Sequence, residues 1–208
     1  MILELSSIAS FLLLGFGLGM LHAFDPDHVA AVGGMAAGRG KNPVWLFSLH
    51  WSLGHGTALI GVAIAVFILG SAIPSQLSAY AEKSVGFVLI LIGSLALYRI
   101  LREYLDSKFN DRRHASLAAP VVGLLHGTAG SAPLLALIPL AQLSNPVLGV
   151  FYVMFFSMGV LMAMIGFGML IAFGLRRLNQ FDLVWVGLVQ FGLVLFSLIF
   201  GFYLVIFS

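Results

Sequence analysis

The sequence predicts an all-α membrane protein with six transmembrane helices, arranged as two inverted three-helix repeats whose first and fourth helices are broken. Three observations predict this fold class: the composition, six long apolar segments, and motifs of the first half that recur in the second. Of the 208 residues, 61% are hydrophobic and only 9% are charged. Such a chain cannot form a soluble domain with a polar surface, so we expect it to lie in a lipid bilayer.

The six apolar segments are predicted to be helices, because each is continuously apolar and none shows the two-residue alternation of a membrane β-barrel strand. Each approaches or exceeds the roughly 20 residues that cross the hydrocarbon core. We expect one transmembrane domain over residues 1–208, with repeat one at about 1–104, a cytoplasmic loop at about 102–115 and repeat two at about 115–208. The segments are 6–37, 44–69, 84–101, 117–143, 147–175 and 183–207.

Basic residues predict the orientation of the chain. Nine of the ten Lys and Arg residues follow the first, third or fifth segment or lie at its end, and only Lys83 lies on the other side. Positively charged loops stay in the cytoplasm, so we expect a multi-pass protein of a bacterial cytoplasmic (inner) membrane with both termini outside. The net charge of +2 reflects these loops and does not indicate a nucleic-acid partner. The sequence leaves a homo-oligomer open.

Short motifs of the first half recur in the second half in the same order. GMLHA (residues 19–23) recurs as GLLHG (123–127), WSLG (51–54) as FSMG (156–159), and VGFV (85–88) more weakly as VGLV (186–189). An odd number of helices per repeat inverts the second copy relative to the first. Inverted repeats are typical of secondary transporters, whose site lies near the midplane on broken helices.

Four titratable groups are concentrated in LHAFDPDHVAAVGG (residues 21–34). Pro26 cannot donate a hydrogen bond to the carbonyl of His22, so the helix is predicted to kink or stop there. Asp25 and Pro26 fit the N-cap and first residue of a new half-helix. Carbonyl groups left free at the end of the first half favour cations. Because two basic residues follow this segment, we expect the stretch to lie toward the cytoplasmic half.

The fourth segment has a matching run of small residues, GTAGSAP (127–133), which permits unwinding or close helix contact. A cavity between the two breaks is the expected place for a substrate. His126 repeats the position of His22 without a nearby carboxylate, so it is either a ligand or a donor to a backbone carbonyl. The second segment adds His50 and His55, which point to different faces, so at most one is expected to share a site with His22.

Imidazole together with carboxylate suits borderline divalent metals such as nickel, cobalt and zinc. On an ideal helix His22, Asp25 and His28 share a broad face, but a kink at Pro26 changes the angle to Asp27. Spacing therefore leaves open which carboxylate binds and which caps the helix, and our hypothesis assigns Asp27 as the ligand. Ionisable groups inside a membrane segment are costly, which favours a functional site over a solvated cytoplasmic turn.

HAFDPDH (residues 22–28) resembles the H-x4-D-H motif of the NiCoT nickel/cobalt permeases, and SLGHGTAL (52–59) is similar to their second signature on the next helix. GLLHGTAGSAPL (123–134) looks like the related UreH-type six-helix proteins. The resemblance implies a nickel or cobalt transporter with no permanently bound cofactor. It also implies that four residues handle the metal, namely His22, Asp27, His28 and His55. Three further candidates are Asp25, His50 and His126.

We therefore expect a secondary transporter that moves a divalent transition-metal ion, nickel or cobalt, across the cytoplasmic membrane by alternating access, and not an enzyme. The alternatives are a transporter of an anion or organic solute and a non-transporting accessory protein that delivers metal. No Lys or Arg lies deep in a segment to hold an anion, and protease motifs are missing. The chain has no cysteine for thiol chemistry. Metal identity, direction and energy coupling stay open.

Overall fold

The computed structural model describes residues 2–37, 44–69, 75–105, 119–129, 145–178, 180 and 183–208. The helices in these ranges are α1 (Ile2–His22), α2 (Pro26–Ala37), α3 (Val44–Ala63), α4 (Ser75–Leu105), α5 (Ala119–Thr128), α6 (Pro146–Leu178) and α7 (Leu183–Phe207). A π-helical segment, Ile64–Ile68, continues α3 directly. Every regular element of the described ranges is helical, which confirms the predicted all-α class.

Four described helices are long and apolar enough to cross a membrane: α3 with its π-helical end, α4, α6 and α7. α1 and α2 qualify together as a fifth span, bent by 54° where they meet. The fourth predicted segment is described only over residues 119–129, so the break expected at 127–133 lies largely outside the described part. The described chain is therefore an all-helical membrane protein with four or five candidate spans.

α4 is longer than the sequence predicted. It begins at Ser75, whereas the third apolar segment was expected from residue 84. Backbone hydrogen bonding continues through polar residues at a helix end, so hydropathy marks the lipid-facing part of a helix and not its first residue. The added turns bring the carboxylate of Glu82 onto the same helix as the apolar span.

The first span is broken at Pro26, as its sequence predicted. α1 ends at His22, and the amide of Asp25 donates to the carbonyl of His22, three residues back, at 3.0 Å. Pro26 has no N–H, so the hydrogen-bond ladder of α1 cannot continue through it. The amide of Val29 then donates to the carbonyl of Asp25 at 3.1 Å and starts α2.

α1 and α6 touch backbone to backbone through two glycines. A Cβ atom added to Gly19 would meet the carbonyl of Phe156, and one added to Gly159 would meet the carbonyl of Phe16. Both approaches are closer than any side chain tolerates, so only glycine fits. Small residues at such crossings let membrane helices associate through van der Waals packing.

α3 and α5 cross in the same way. A Cβ atom added to Gly54 would meet the carbonyl of Pro120, and one added to Gly123 would meet the carbonyl of Trp51. Gly123 holds in GLLHG the place that Gly19 holds in GMLHA. The recurring motifs therefore mark two equally close helix crossings.

α4 and α7 also meet at paired glycines. The Cβ position of Gly86 faces the carbonyl of Gly201, and that of Gly201 faces the carbonyl of Gly86, each at 2.8 Å. Gly187, which the weak third motif match aligns with Gly86, has nothing within 4 Å of its Cβ position. The third motif match therefore has no counterpart in the packing of these helices.

α2 is an interior helix, since eight of its 12 residues are buried. It packs against α4 and α7, where Ala30 and Ala31 join a core cluster with Val85 and Leu89. Its alanines and glycines leave room for these neighbours. The two histidines that flank the break are thus enclosed by other helices, whereas Phe24 and Pro26 of the break itself are exposed.

Candidate metal centre

Three buried histidines converge at the break in the first span. His22 ends α1, His28 lies in the first turn of α2, and His55 lies in the middle of α3. Each offers a ring nitrogen that lies within 4.8 Å of the other two. Their rings are 4% exposed at most, and the ring centroids are 4.6 Å (His22 and His28), 5.6 Å (His22 and His55) and 5.0 Å (His28 and His55) apart.

Several of the converging nitrogen atoms have no hydrogen-bond partner within the described residues. These atoms are Nε2 of His22, Nδ1 of His28 and both ring nitrogens of His55. A buried polar atom without a partner costs about 1–3 kcal/mol, and such atoms are rare in native proteins. Each of the three rings carries at least one such atom, and one nitrogen of each ring lies close to the other two, which indicates that a ligand completes the site. Imidazole nitrogens suit nickel, cobalt and zinc.

Two carboxylates flank this cluster. Oδ2 of Asp25 lies 2.8 Å from Nδ1 of His22, and Oδ2 of Asp27 lies 3.8 Å from Nε2 of His28. Their side chains are 30% and 22% exposed, so both carboxylates border on the open side of the site. A carboxylate on one nitrogen of a histidine fixes the ring so that the other nitrogen can bind a metal. Asp25 has that position beside His22.

The remaining histidines differ in their relation to the cluster. His126 donates from Nδ1 to the carbonyl of Val122 at 2.8 Å, which leaves the lone pair on Nε2, a buried atom without a partner in the described part. Its ring lies 6.1 Å from that of His28. His50 donates from Nδ1 to the carbonyl of Leu46 at 2.7 Å. Of the two histidines on α3, only His55 belongs to the three-histidine cluster, in agreement with the five-residue spacing.

Trp51 forms one wall of the centre. Its ring stacks on that of His55 with 5.0 Å between centroids and 13° between planes, and it meets His28 and His126 edge-on. Phe156, which takes the place of Trp51 in the recurring motif, lies 5.4 Å from the ring of His22. Sequence reasoning assigned neither aromatic residue to the site. The only signal was their shared place in WSLG and FSMG.

A cavity of about 220 Å³ lies beside the histidines. Its polar lining consists of His22, Asp25, Asp27, His28, Glu82 and His126. Among the described residues that line it, none is a Lys or Arg. The cavity therefore joins imidazole nitrogens and carboxylate oxygens, which suits a divalent cation and not an anion.

Glu82 is a polar residue of this cavity that sequence reasoning missed. It comes from α4, which has no histidine and no recurring polar motif, and it is followed at once by Lys83 in the charged start of that helix. Such a pair is usually a solvated helix end. Only the packing of α4 beside α2 brings Glu82 to the cavity.

The cavity lies near the start of α4, beside Lys83 and far from the basic residue in the last turn of that helix. Glu82 and Val85 belong to the first 11 residues of α4, and Phe200 and Leu204 to the last eight of α7. Arg102 lies in the last turn of α4, about 30 Å from Glu82 along the helix.

The polar stretch, which was expected toward the half with the basic loops, thus borders a cavity at the opposite end of α4 from Arg102. α2 runs for 12 residues beyond the break, about 18 Å, before the chain reaches Arg39 and Lys41. The predicted second half-helix therefore lies between the centre and these two basic residues along the chain.

The NicO family model, described as high-affinity nickel-transport protein, matches residues 8–135, which is more than half of the chain. The chain belongs to this family. The matched region contains the three clustered histidines, both flanking aspartates, Glu82 and His126. The resemblance to nickel/cobalt permeases, based on HAFDPDH and SLGHGTAL, is thereby confirmed.

Two similar proteins have names that fit this family. Urease accessory protein UreH of Bacillus sp. (strain TB-90) is 29% identical over 180 residues, which cover 79% of this chain and 77% of that protein. A high-affinity nickel transport protein of Cupriavidus necator is 33% identical over 87 residues, which cover 40% of this chain and 23% of that protein. The broad coverage of UreH agrees with the expected likeness of this NicO chain to UreH-type proteins.

A third similar protein has a different kind of name. Thiol:disulfide interchange protein DsbD 2 of Pseudomonas aeruginosa is 30% identical over 207 residues, which cover 90% of this chain and 35% of that protein. The 208 residues of this NicO chain contain no cysteine, so they carry no thiol for such an exchange. No solved structure matches the chain.

Proposed function

We propose that this NicO-family protein is a secondary transporter that carries a divalent transition-metal ion across the bacterial cytoplasmic membrane. Nickel is the first candidate and cobalt the second, and the ion is a substrate and not a resident cofactor. The observation that carries the proposal is the convergence of His22, His28 and His55 at the break of a membrane span. Their nitrogen atoms lack hydrogen-bond partners, and a transported ion would be the partner that they bind.

Each polar residue of the centre has a role in this proposal. The three clustered imidazoles bind the ion directly, and Asp27 is the carboxylate ligand. Asp25 holds the ring of His22 and contributes negative charge. His126 offers Nε2 as a further imidazole ligand, since its Nδ1 is already used by its own helix. His50 takes no part, because it lies outside the cluster.

Alternating access by two inverted repeats is the proposed mechanism. The equivalent glycine crossings support a duplication: Gly19 lies against Phe156, and Gly123 lies against Trp51, which are matched positions of the recurring motifs. Inverted repeats rock about a site near the midplane, where broken helices supply the ligands. Six spans in this arrangement give a first and a fourth helix that are both broken.

The basic residues support an orientation with both termini outside, so the cavity opens away from the cytoplasm. The inward-negative membrane potential contributes about 2.3 kcal/mol per charge per 100 mV, and twice that for a divalent ion, in favour of uptake. Metal binding displaces protons from histidine, so a proton gradient is a second means of coupling. We propose uptake as the direction.

The alternatives lack comparable support. An anion or an acidic organic solute would meet three carboxylates and no basic side chain among the described lining residues of the cavity. An accessory protein that delivers metal without transport would use the same ligands, and the name of UreH keeps it as the second candidate. The family is a transporter family, which favours a protein that is not an enzyme. The partners of the chain in this proposal are a divalent metal ion and the lipid bilayer.

Metal flux tests the proposal directly. Uptake and efflux of nickel, cobalt, zinc and manganese are measured in proteoliposomes that contain the wild type, His22→Ala, His28→Ala or His55→Ala. His50→Ala is the matched control, because His50 lies on the same helix as His55 but outside the cluster. We expect nickel or cobalt flux in the wild type and in His50→Ala, and a loss of at least about tenfold in the other variants.

Two results would overturn the proposal in different ways. If the wild type moves none of the four ions but still binds nickel through the three histidines, the protein is a metal-delivery accessory. If all histidine variants move metal at the wild-type rate, the ion crosses elsewhere and the site assignment fails.

A further inference from the structure

We propose that Glu82 is the outer carboxylate of the cavity, which captures the hydrated divalent cation before the buried histidines bind it. This inference rests on the proposed transport function and adds an access step to it. Glu82 lies outside both histidine motifs and on a helix, α4, that contributes nothing to the three-histidine cluster. It nevertheless lines the same cavity as His22, His28 and His126.

The cavity has two chemically different sides. On its buried side lie imidazoles at most 4% exposed, among them Nε2 of His22, Nδ1 of His28 and Nε2 of His126, which lack hydrogen-bond partners in the described part. On its more open side lie the carboxylates of Asp25, Asp27 and Glu82, all partly exposed. The acidic side chains thus lead to buried nitrogen atoms that need a ligand.

This order of groups matches the dehydration of a divalent ion. Oxygen ligands hold hard, hydrated cations together with part of their water shell, whereas imidazole binds the metal itself. Three carboxylates without a basic neighbour in the described lining also focus negative potential at the opening, which raises the local cation concentration and the association rate. Glu82 therefore captures the hydrated cation, and the histidines then bind the metal ion tightly.

The location of Glu82 fixes the side from which capture occurs. It lies near the start of α4, and the basic residue in the last turn of that helix lies at the other end. With the basic end in the cytoplasm, the carboxylate faces the extracytoplasmic side. The structure thus corresponds to a cavity that receives its ion from outside the cell.

Transport kinetics test the role of Glu82. Nickel uptake is measured for the wild type, Glu82→Gln, Glu82→Asp and the control Lys83→Gln, whose residue adjoins Glu82 but does not line the cavity. We expect the KM of Glu82→Gln to rise about three- to tenfold at low ionic strength while kcat changes little, because capture and not release is impaired. Glu82→Asp should restore most of the loss, and added salt should reduce the difference between Glu82→Gln and wild type.

Thiol labelling tests the side of access, and the absence of cysteine from the chain makes each introduced thiol unique. We expect a membrane-impermeant maleimide to label Glu82→Cys in intact cells and to block nickel uptake. Lys83→Cys, labelled or not, should keep its uptake. Labelling of Glu82→Cys only after the cells are permeabilised would overturn the outward position.

The outcomes separate this inference from the proposed function. Wild-type nickel flux with an unchanged KM in Glu82→Gln, or with an equal rise in Lys83→Gln, rejects the role of Glu82 and leaves the transporter intact. A wild type without flux of any metal rejects both.

Discussion

Two G-x-x-H motifs, at residues 19–22 and 123–126, begin alike and end differently. In each, the glycine lies against a backbone carbonyl of an aromatic residue, Phe156 in the first motif and Trp51 in the second. In each, the histidine three residues later lies beside the ring of that same aromatic residue, at 5.4 Å and 5.3 Å. Glycine, aromatic residue and histidine thus form the same unit twice.

The two units differ in the residues that come after the histidine. After His22 the helix breaks, and the next six residues supply two carboxylates and His28. His126 instead has its Nδ1 held by the carbonyl of Val122, within its own helix, and no carboxylate comes closely after it. The close helix crossing is therefore the shared scaffold, and only one copy has, after its histidine, the further groups of the proposed metal centre.

The largest effect is expected from filling the shared crossing. Gly19→Val and Gly123→Val each place a side chain where a neighbouring carbonyl lies, so each should lose about 4 kcal/mol or more of stability or fail to fold. Gly17→Val is the control, because Gly17 has nothing within 4 Å of its Cβ position. The measurement is thermal unfolding in detergent, followed by size-exclusion chromatography. Equal stability of the three variants would mean that the two crossings are loosely packed.

The next effect separates the two histidine units. His28→Ala removes a ring that only the broken unit supplies, and we expect nickel uptake to fall about 100-fold or more. His126→Ala removes a nitrogen outside the three-histidine cluster, and a loss of about tenfold or less is expected. Initial rates in proteoliposomes measure both. A greater loss in His126→Ala than in His28→Ala would reverse the assignment of the two units.

A smaller effect than that of His28→Ala distinguishes the two carboxylates of the broken unit. Asp25→Asn and Asp27→Asn should each weaken nickel binding about tenfold, measured by equilibrium dialysis of the purified protein. X-ray absorption of the bound nickel tells them apart, since only Asp27→Asn should remove an oxygen ligand. Loss of the oxygen ligand in Asp25→Asn instead would mean that Asp25 binds the metal and Asp27 does not. It would contradict the role of Asp25 as the residue that holds His22 through their 2.8 Å contact.

The sequence predicted the broken helix and residues that converge in the candidate metal centre, because local chemistry decides much of both. Pro26 removes a backbone donor wherever it stands, so the break results from one residue. His22 and His28 flank that break, and their meeting needs only the bend between α1 and α2. The five-residue spacing states only that His50 and His55 face different directions. The resemblance of SLGHGTAL to the family signature favoured His55, and the packing of α3 brings His55 into the three-histidine cluster.

Glu82 and Trp51 could not be predicted as parts of the site. Their contacts depend on helices that are distant in sequence. Hydropathy predicts which residues face lipid, but it does not show which helix packs against a buried face. Glu82 also lies in the first turns of α4, whose polar residues are typical of a loop when only hydropathy is considered. Trp51 is an apolar residue in an apolar helix, so the sequence does not show that its ring packs against the histidines.

The packing divides the three histidines between two sets of helices. α1 and α3 pack with α5 and α6, whereas α2 packs mainly with α4 and α7. His22 and His55 therefore belong to one set and His28 to the other. In the proposed transport cycle, a bound ion is a removable cross-link between the two sets, and sliding of one set past the other separates its ligands without any rearrangement inside either set. Release of the cargo and movement of the helices are then one event.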